Sequence, residues 1–272
     1  MLKHRVLTAV VLLVVALWAL FLADSMYWVG VMVFVSALAA WEWGGFVRLT
    51  NLFVRGGYSL LVGTAVWLAQ MWQLTDVILL YGVGLQTLFV VVTVSYYQLN
   101  QGRAILTVPW VSLSLGVLLI LSFSLAVIAL RDVFSPWILL ASLAMIWAMD
   151  TGAYFSGKQF GRHKLASYVS PGKTWEGVIG GALFVGVLAL ALALFAVDYV
   201  PTPGLLIFVA VSVAISLLSV YGDLFESLMK RQVDLKDSGR ILPGHGGVLD
   251  RIDSLLVAMP LFWLFWYVAL GF

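Results

Sequence analysis

Long apolar runs recur along this chain, separated by short polar breaks. A helix needs about 20 mainly apolar residues to cross a hydrocarbon core. Nine runs meet or approach that length: Val6–Ala23, Met26–Trp43, Tyr58–Trp72, Val77–Tyr97, Pro109–Leu130, Phe134–Phe155, Trp175–Val197, Gly204–Leu228 and Ile252–Leu270. None shows the alternating ten-residue pattern of a membrane β-strand. Backbone groups in lipid must be paired within their own segment, so these runs are helices. Only Asp24 and Ser25 divide the first two, which therefore form a tight hairpin. Lys3, His4 and Arg5 ahead of the first run resemble a signal peptide, but its length and the second run close behind favour an uncleaved anchor. The pattern predicts an all-α, polytopic transmembrane protein with about nine transmembrane helices. Tyr58–Trp72 is the shortest of them.

Two connections break the rhythm. Ser156–Thr174 and Met229–Arg251 are longer than the rest and dense in Gly, Lys, Asp and His. No tandem repeat or low-complexity linker sets them apart. The chain reads as one membrane domain, with scaffold helices over 1–145 and the functional residues over 146–272.

Composition narrows the class. Hydrophobic residues make up 63% and charged residues 10% of 272, against about 25% charged in a soluble domain. That excludes an ordinary soluble enzyme, a disordered chain and a nucleic-acid-binding module. Cysteine is absent, which excludes disulfides, thiolate catalysis and a Cys zinc site. The net charge of +2 carries no information about partners, but the placement of the charges does. With the N-terminus in the cytoplasm and nine spans, 14 of the 15 basic residues fall on the cytoplasmic side and only Arg131 falls opposite, as the positive-inside rule requires. The same reading puts both long loops in the cytoplasm.

Those loops hold the candidate chemistry. Asp250 and Asp253 are spaced i,i+3 at the start of the last helix and share a face. Asp223, near the end of the preceding span, is placed to oppose them, and three converging carboxylates suit Mg²⁺. The competing explanation for Asp250 is a helix-start acid paired with Arg251. Pro243-Gly244-His245-Gly246-Gly247 lies just before this pair, and its glycines permit close backbone approach to phosphate oxygens. A plain tight turn is the alternative. In the other loop, Asp150 and Tyr154 end a span, and Ser170-Pro171-Gly172-Lys173-Thr174 leads into a helix with Glu176 in its first turn. Helix start, ammonium and hydroxyls suit a phosphate, although the spacing is not that of a P-loop. A basic loop meeting anionic headgroups is the alternative here. Gly177 and Gly181 form a G-x-x-x-G continued by Gly186, a stripe for close helix packing or a dimer seam. Glu42 reads as a snorkelling acid or a partner for Arg48. Taken together, acidic metal ligands, Lys/Arg and phosphate-friendly loops at a membrane boundary suit phosphoryl or nucleotidyl transfer between a lipid and a soluble nucleotide.

The pattern Ser227-x-Met229-Lys230-Arg231-x₄-Lys236-Asp237-x-Gly239-x₂-Leu242-Pro243-x-His245-Gly246-Gly247-Val248-x-Asp250-Arg251-Ile252-Asp253 resembles the C-terminal signature of the phosphatidate cytidylyltransferases, also called CDP-diacylglycerol synthases. Gly222-Asp223-Leu224, Asp150-Thr151-Gly152-Ala153-Tyr154 and Ser170–Gly177 resemble further family blocks, so the motif likeness covers roughly 150–253. The resemblance implies transfer of a cytidylyl group from CTP to phosphatidate, with release of pyrophosphate, in phospholipid biosynthesis at the cytoplasmic face of a cell (inner) membrane. It implies Mg²⁺, with K⁺ as a possible second cation, at Asp223, Asp250 and Asp253. It assigns Lys230, Arg231, Lys236 and Arg251 to phosphates, and adds Asp237 and His245 to the catalytic set, His245 orienting a phosphate or a metal ligand. It gives Asp150, Tyr154, Ser170, Gly172, Lys173, Thr174, Glu176, Gly244, Gly246 and Gly247 to substrate binding. It also implies a homodimer. A CTP-dependent polyprenyl lipid kinase is the nearest rival, and an ion-coupled transporter is the rival of a different class.

Overall fold

The computed structural model describes residues 14–103, 108–196, 198, 204–242, 244 and 246–272. Among these, eight helices are long and apolar enough to cross a membrane. They are α1 (Ser25–Phe46), α2 (Leu52–Met71), α3 (Thr75–Leu99), α4 (Pro109–Ala129, extended by a π-helical turn Leu130–Phe134), α5 (Pro136–Phe160), α6 (Trp175–Phe195), α7 (Leu205–Gln232) and α8 (Leu249–Leu270). A helical stretch over 14–21 precedes α1, and the first part of the expected Val6–Ala23 span lies outside the described residues.

Local chemistry sets the starts. Pro109 and Pro136 open α4 and α5, where a missing N–H costs nothing. The Asn51 side chain accepts from the N–H groups of Phe53 and Val54 and begins α2 at Leu52 rather than at Tyr58. This cap lengthens the shortest expected span to 20 residues. Similarly, α7 runs past Leu228 to Gln232, and α8 begins at Leu249 rather than Ile252. Lys230, Arg231, Asp250 and Arg251 therefore stand on helices instead of in a loop. Hydropathy marks only the lipid-soluble length, whereas a helix continues wherever its backbone and side chains find partners.

A small hairpin joins α5 to α6. β1 (Lys164–Ala166) pairs antiparallel with β2 (Ser170–Thr174), with Lys164 opposite Thr174 and Ala166 opposite Ser170. It adds a two-stranded element to the expected all-α fold. Strands this short, one containing Pro171 and Gly172, leave no period-two signal to read.

The core lies around α4 and α8, where Leu119, Ile120, Phe262, Trp263 and Trp266 are almost wholly buried. At the far end from the hairpin, buried Arg131 donates to the carbonyls of Leu20 (2.8 Å) and Ala23 and pairs with Asp132 at 2.5 Å. It thereby satisfies carbonyls at the end of the stretch before α1.

Close contact between α5 and α6 depends on glycine. A Cβ on Gly177 would stand 2.8 Å from the Ala153 carbonyl oxygen, and one on Gly181 2.7 Å from that of Met149. The G-x-x-x-G stripe is thus used within the chain, against α5, and is not free to serve as a dimer seam. Gly186 turns instead toward Val213 of α7. Gly181→Val is expected to push the two helices apart and cost about 1–3 kcal/mol or more, as overpacking does. Gly30→Ala, with nothing within 4 Å of the new methyl, is the neutral control. Thermal unfolding in detergent should show a lower midpoint for the first variant only.

Candidate active site

Two helix crossings and two loops meet at the hairpin end. Gly222 lets α7 and α8 touch: a Cβ there would be 2.6 Å from the Asp253 carbonyl oxygen. This contact sets Asp223 and Asp253 on adjoining helices at one level. Lys173, from β2, reaches Asp223 Oδ2 at 2.6 Å, with both side chains about three-quarters shielded. Asp253 feels the charges of Asp223, Asp150 and Lys173, and Asp150 in turn those of Asp223 and Lys173. Ser227 Oγ donates to Asp223 Oδ1 at 3.3 Å, and the Ser254 N–H donates to Asp253 Oδ1 at 2.8 Å. Three carboxylates from α5, α7 and α8 thus lie within electrostatic range of one ammonium, which contacts Asp223.

Beside them lies a second charged group. Lys230 Nζ donates to Glu226 Oε2 at 2.7 Å and to Asp250 Oδ1 at 2.8 Å. Asp250 also accepts from the backbone N–H groups of Ser238 (3.0 Å to Oδ2) and Gly247 (2.8 Å). Gly246 adopts φ +83°, and a Cβ there would lie 2.8 Å from Asp250 Oδ2. The glycines therefore let the loop wrap around this carboxylate.

Of the expected trio Asp223, Asp250 and Asp253, Asp250 is already engaged by other groups. The i,i+3 spacing on α8 is present, but Lys230 and the loop N–H groups take up the Asp250 oxygens. Asp150 lies near enough to Asp223 and Asp253 for their charges to act on one another. Among the described residues, no three carboxylate or imidazole groups form a ready-made cation cage. The donor set nevertheless fits a hard divalent cation. It offers oxygen ligands only, and three formal negative charges are met by a single ammonium.

Other expected residues divide by role. Thr174 is buried and caps α6, its Oγ1 accepting from the Gly177 N–H. Glu176 accepts from the N–H groups of Arg162 (3.1 Å) and His163 (3.2 Å) and meets His163 Nδ1 at 2.6 Å, so it fastens the hairpin to α6. Ser170 and Gly172 lie on β2, and Gly172 has open space around it. Tyr154 is exposed, with the Lys158 ammonium 5.8 Å from its ring. Arg231, Lys236, Asp237, Gly244 and Arg251 are exposed around the same end. His245 and Pro243 lie outside the described residues.

One residue of consequence was assigned no such role from sequence. Glu42, on α1, is 1% exposed and accepts from Ser238 Oγ (3.1 Å) and the Leu249 N–H (2.9 Å). Gly247 presses against it, since a Cβ there would be 2.5 Å from Glu42 Oε2. It does not pair with Arg48, which meets Asp234 at 3.7 Å. The available signal was an acid inside an apolar run, Trp41-Glu42-Trp43, because ionisable residues are retained there for a reason. Glu42 and Asp250 thus grip Ser238 from two sides, joining α1 and α8 to the loop after α7.

The profile of the cytidylyltransferase family matches residues 3–269. A phosphatidate cytidylyltransferase of Haemophilus influenzae is 38% identical over 293 aligned positions, which cover 99% of this chain and 100% of the relative. One from Pseudomonas aeruginosa is 38% identical over 96% of each chain. A third, from Brucella suis, is 35% identical over 97% of this chain and 93% of its own.

Proposed function

The chain belongs to the cytidylyltransferase family, and from that premise we propose that it is a membrane enzyme joining CTP and phosphatidate into CDP-diacylglycerol and pyrophosphate. The observation that carries this reading is the Lys173–Asp223 pair set among Asp150 and Asp253 where three apolar helices meet polar loops. In the reaction, an oxygen of the phosphatidate phosphate attacks the α-phosphorus of CTP. The bond from that phosphorus to the bridging oxygen breaks, and pyrophosphate leaves with the electron pair. A phosphate monoester is already ionised at pH 7, so no general base is required.

The side chains have electrostatic work to do. Lys173 holds Asp223 in place and is within reach of an incoming phosphate oxygen. Lys230, fixed by Glu226 and Asp250, presents a positive charge at the start of the glycine loop, where charge develops in the transition state. Asp150, Asp223 and Asp253 would hold Mg²⁺, with K⁺ as a candidate second cation. Bound Mg²⁺ neutralises phosphate charge and aligns the attacking and leaving oxygens. The distribution of basic residues supports a cytoplasmic active site in a bacterial inner membrane. A homodimer, if formed, uses a surface other than the Gly177/Gly181 stripe.

The test is direct. The protein, purified in detergent and given CTP, phosphatidate and Mg²⁺, is expected to yield CDP-diacylglycerol and pyrophosphate, identified by mass. Folded protein that yields neither, or that phosphorylates a polyprenol instead, overturns the reading.

A further inference from the structure

Two openings of opposite chemistry flank the site. One is a groove of about 570 Å³ along α6 and α7, running from Trp175 to Leu190 and closed on the far side by Val213 and Leu217. Every residue lining it is apolar. Trp175 follows Lys173 and Thr174 in the chain, so its polar end adjoins the Lys173–Asp223 pair. The other opening is a cavity of about 640 Å³ between the turn after α1 and the loop after α7. Arg48, Arg55, Lys236 and Arg240 line it, and Asp237 is the one acid in its wall.

The basic cavity has features of a built site. Arg55 is held in place, with Nε donating to the Trp41 carbonyl at 2.5 Å and the guanidinium 4.8 Å from the Trp41 ring. Arg48 and Asp234 both adopt left-handed backbone conformations, φ 55° and 58°, and face each other at 3.7 Å. Each is the first residue past a helix C-cap, where that conformation is ordinary, so the two helix ends set the pair face to face. The weak, exposed Arg48–Asp234 pair leaves the Arg48 guanidinium easily transferred to a stronger anion. Lys236 and Arg240 bracket Ser238, whose N–H and hydroxyl bind Asp250 and Glu42. An anion in the cavity therefore sits on the same loop that anchors Lys230.

Four cations around one acid call for a polyanion, and guanidinium forks match phosphate oxygens. Leu49 and Leu235 are the only apolar side chains lining the cavity, too short a flank for acyl chains, whereas the α6–α7 groove is apolar throughout. We infer that Arg48, Arg55, Lys236 and Arg240 bind the β- and γ-phosphates of the nucleoside triphosphate and hold pyrophosphate after transfer. The inference rests on the transferase reading above. It brings Arg48 and Arg55, from the half of the chain that reads as scaffold, into substrate binding.

Arg48 is 67% exposed and Arg240 is also exposed, so Arg48→Ala and Arg240→Ala should fold. In steady-state assays, each is expected to raise KM for CTP and the inhibition constant of pyrophosphate together, by about tenfold, the scale of one charge-assisted hydrogen bond. Arg48→Lys should recover part of the loss, and KM for phosphatidate should stay within about twofold. Calorimetric titration of detergent-purified protein with inorganic pyrophosphate, without lipid, should show the same weakening. Unchanged CTP and pyrophosphate constants overturn the assignment. So does a rise confined to KM for phosphatidate, or a loss confined to flotation with anionic vesicles, since each assigns the cations to lipid phosphate. Wild-type protein that binds pyrophosphate yet makes no CDP-diacylglycerol would instead sink the transferase reading and leave the pocket standing.

Discussion

Asp223→Asn is expected to lower turnover by about 10²–10³-fold, comparable to removing one preorganised transition-state contact. The substitution keeps the side chain's size and leaves Ser227 an acceptor, so the α7–α8 crossing at Gly222 stays intact. It removes a charge that faces Lys173 at 2.6 Å and adjoins Asp150 and Asp253. On the proposed reading, the remaining carboxylates would bind a divalent cation more weakly, and Lys173 loses the partner that positions it. The measurement is kcat at several Mg²⁺ concentrations, alongside the thermal midpoint in detergent. Activity should remain low even when Mg²⁺ is raised, with the midpoint near that of wild type. Near-normal turnover would remove Asp223 from the reaction centre.

The second large effect is expected at Glu42. Glu42→Ala leaves the Ser238 hydroxyl and the Leu249 N–H without their acceptor in a buried site. Each orphaned donor costs about 1–3 kcal/mol, so the variant should unfold at clearly lower temperature. Glu42→Gln keeps the volume and can keep an oxygen at the Oε2 position that receives both donors, so what it removes is the charge that strengthens them. That variant should fold, and the grip on Ser238 should loosen. The expected signs are faster proteolysis between Val233 and Leu249 and a KM for CTP raised roughly threefold to tenfold, as two charge-assisted hydrogen bonds become neutral ones. If Glu42→Gln has wild-type kinetics and an equally protected loop, Glu42 is only a packing residue.

How much of this was legible in the sequence follows from the physics of each feature. The spans were readable because lipid admits little besides apolar helices. Their ends were not, because Asn51 caps α2 before its apolar run begins, and because Lys230 and Asp250 extend α7 and α8 by pairing across them. The hairpin was hidden because three- and five-residue strands carry no period. Asp150, Asp223, Lys173 and Asp253 were all recognisable as candidates. That they meet depends on the bare backbone at Gly222 and on the path of β2, neither of which is visible from spacing. The partners of Asp250 were hidden for a related reason. Helical spacing fixes the face on which a side chain starts, but not which neighbour takes hold of it, and Lys230 lies on another helix. Glu42 stood in plain view inside an apolar run, yet its partners are about 200 positions away, at Ser238 and Leu249.

That last separation has a bearing on biogenesis. Leu249 follows Glu42 by 207 residues, and ribosomes add about 5–20 residues per second. The α1 acid therefore enters the bilayer some tens of seconds, by that estimate, before its donors exist. Through that interval the nascent chain carries an unsatisfied carboxyl, which draws in water or a temporary partner. The nearby Arg55 charge acts on it early, but its hydrogen-bond donors arrive only with the chain beyond α7. A product truncated before Ser238 would keep that acceptor unmet, so the loop after α7 also completes the burial of α1.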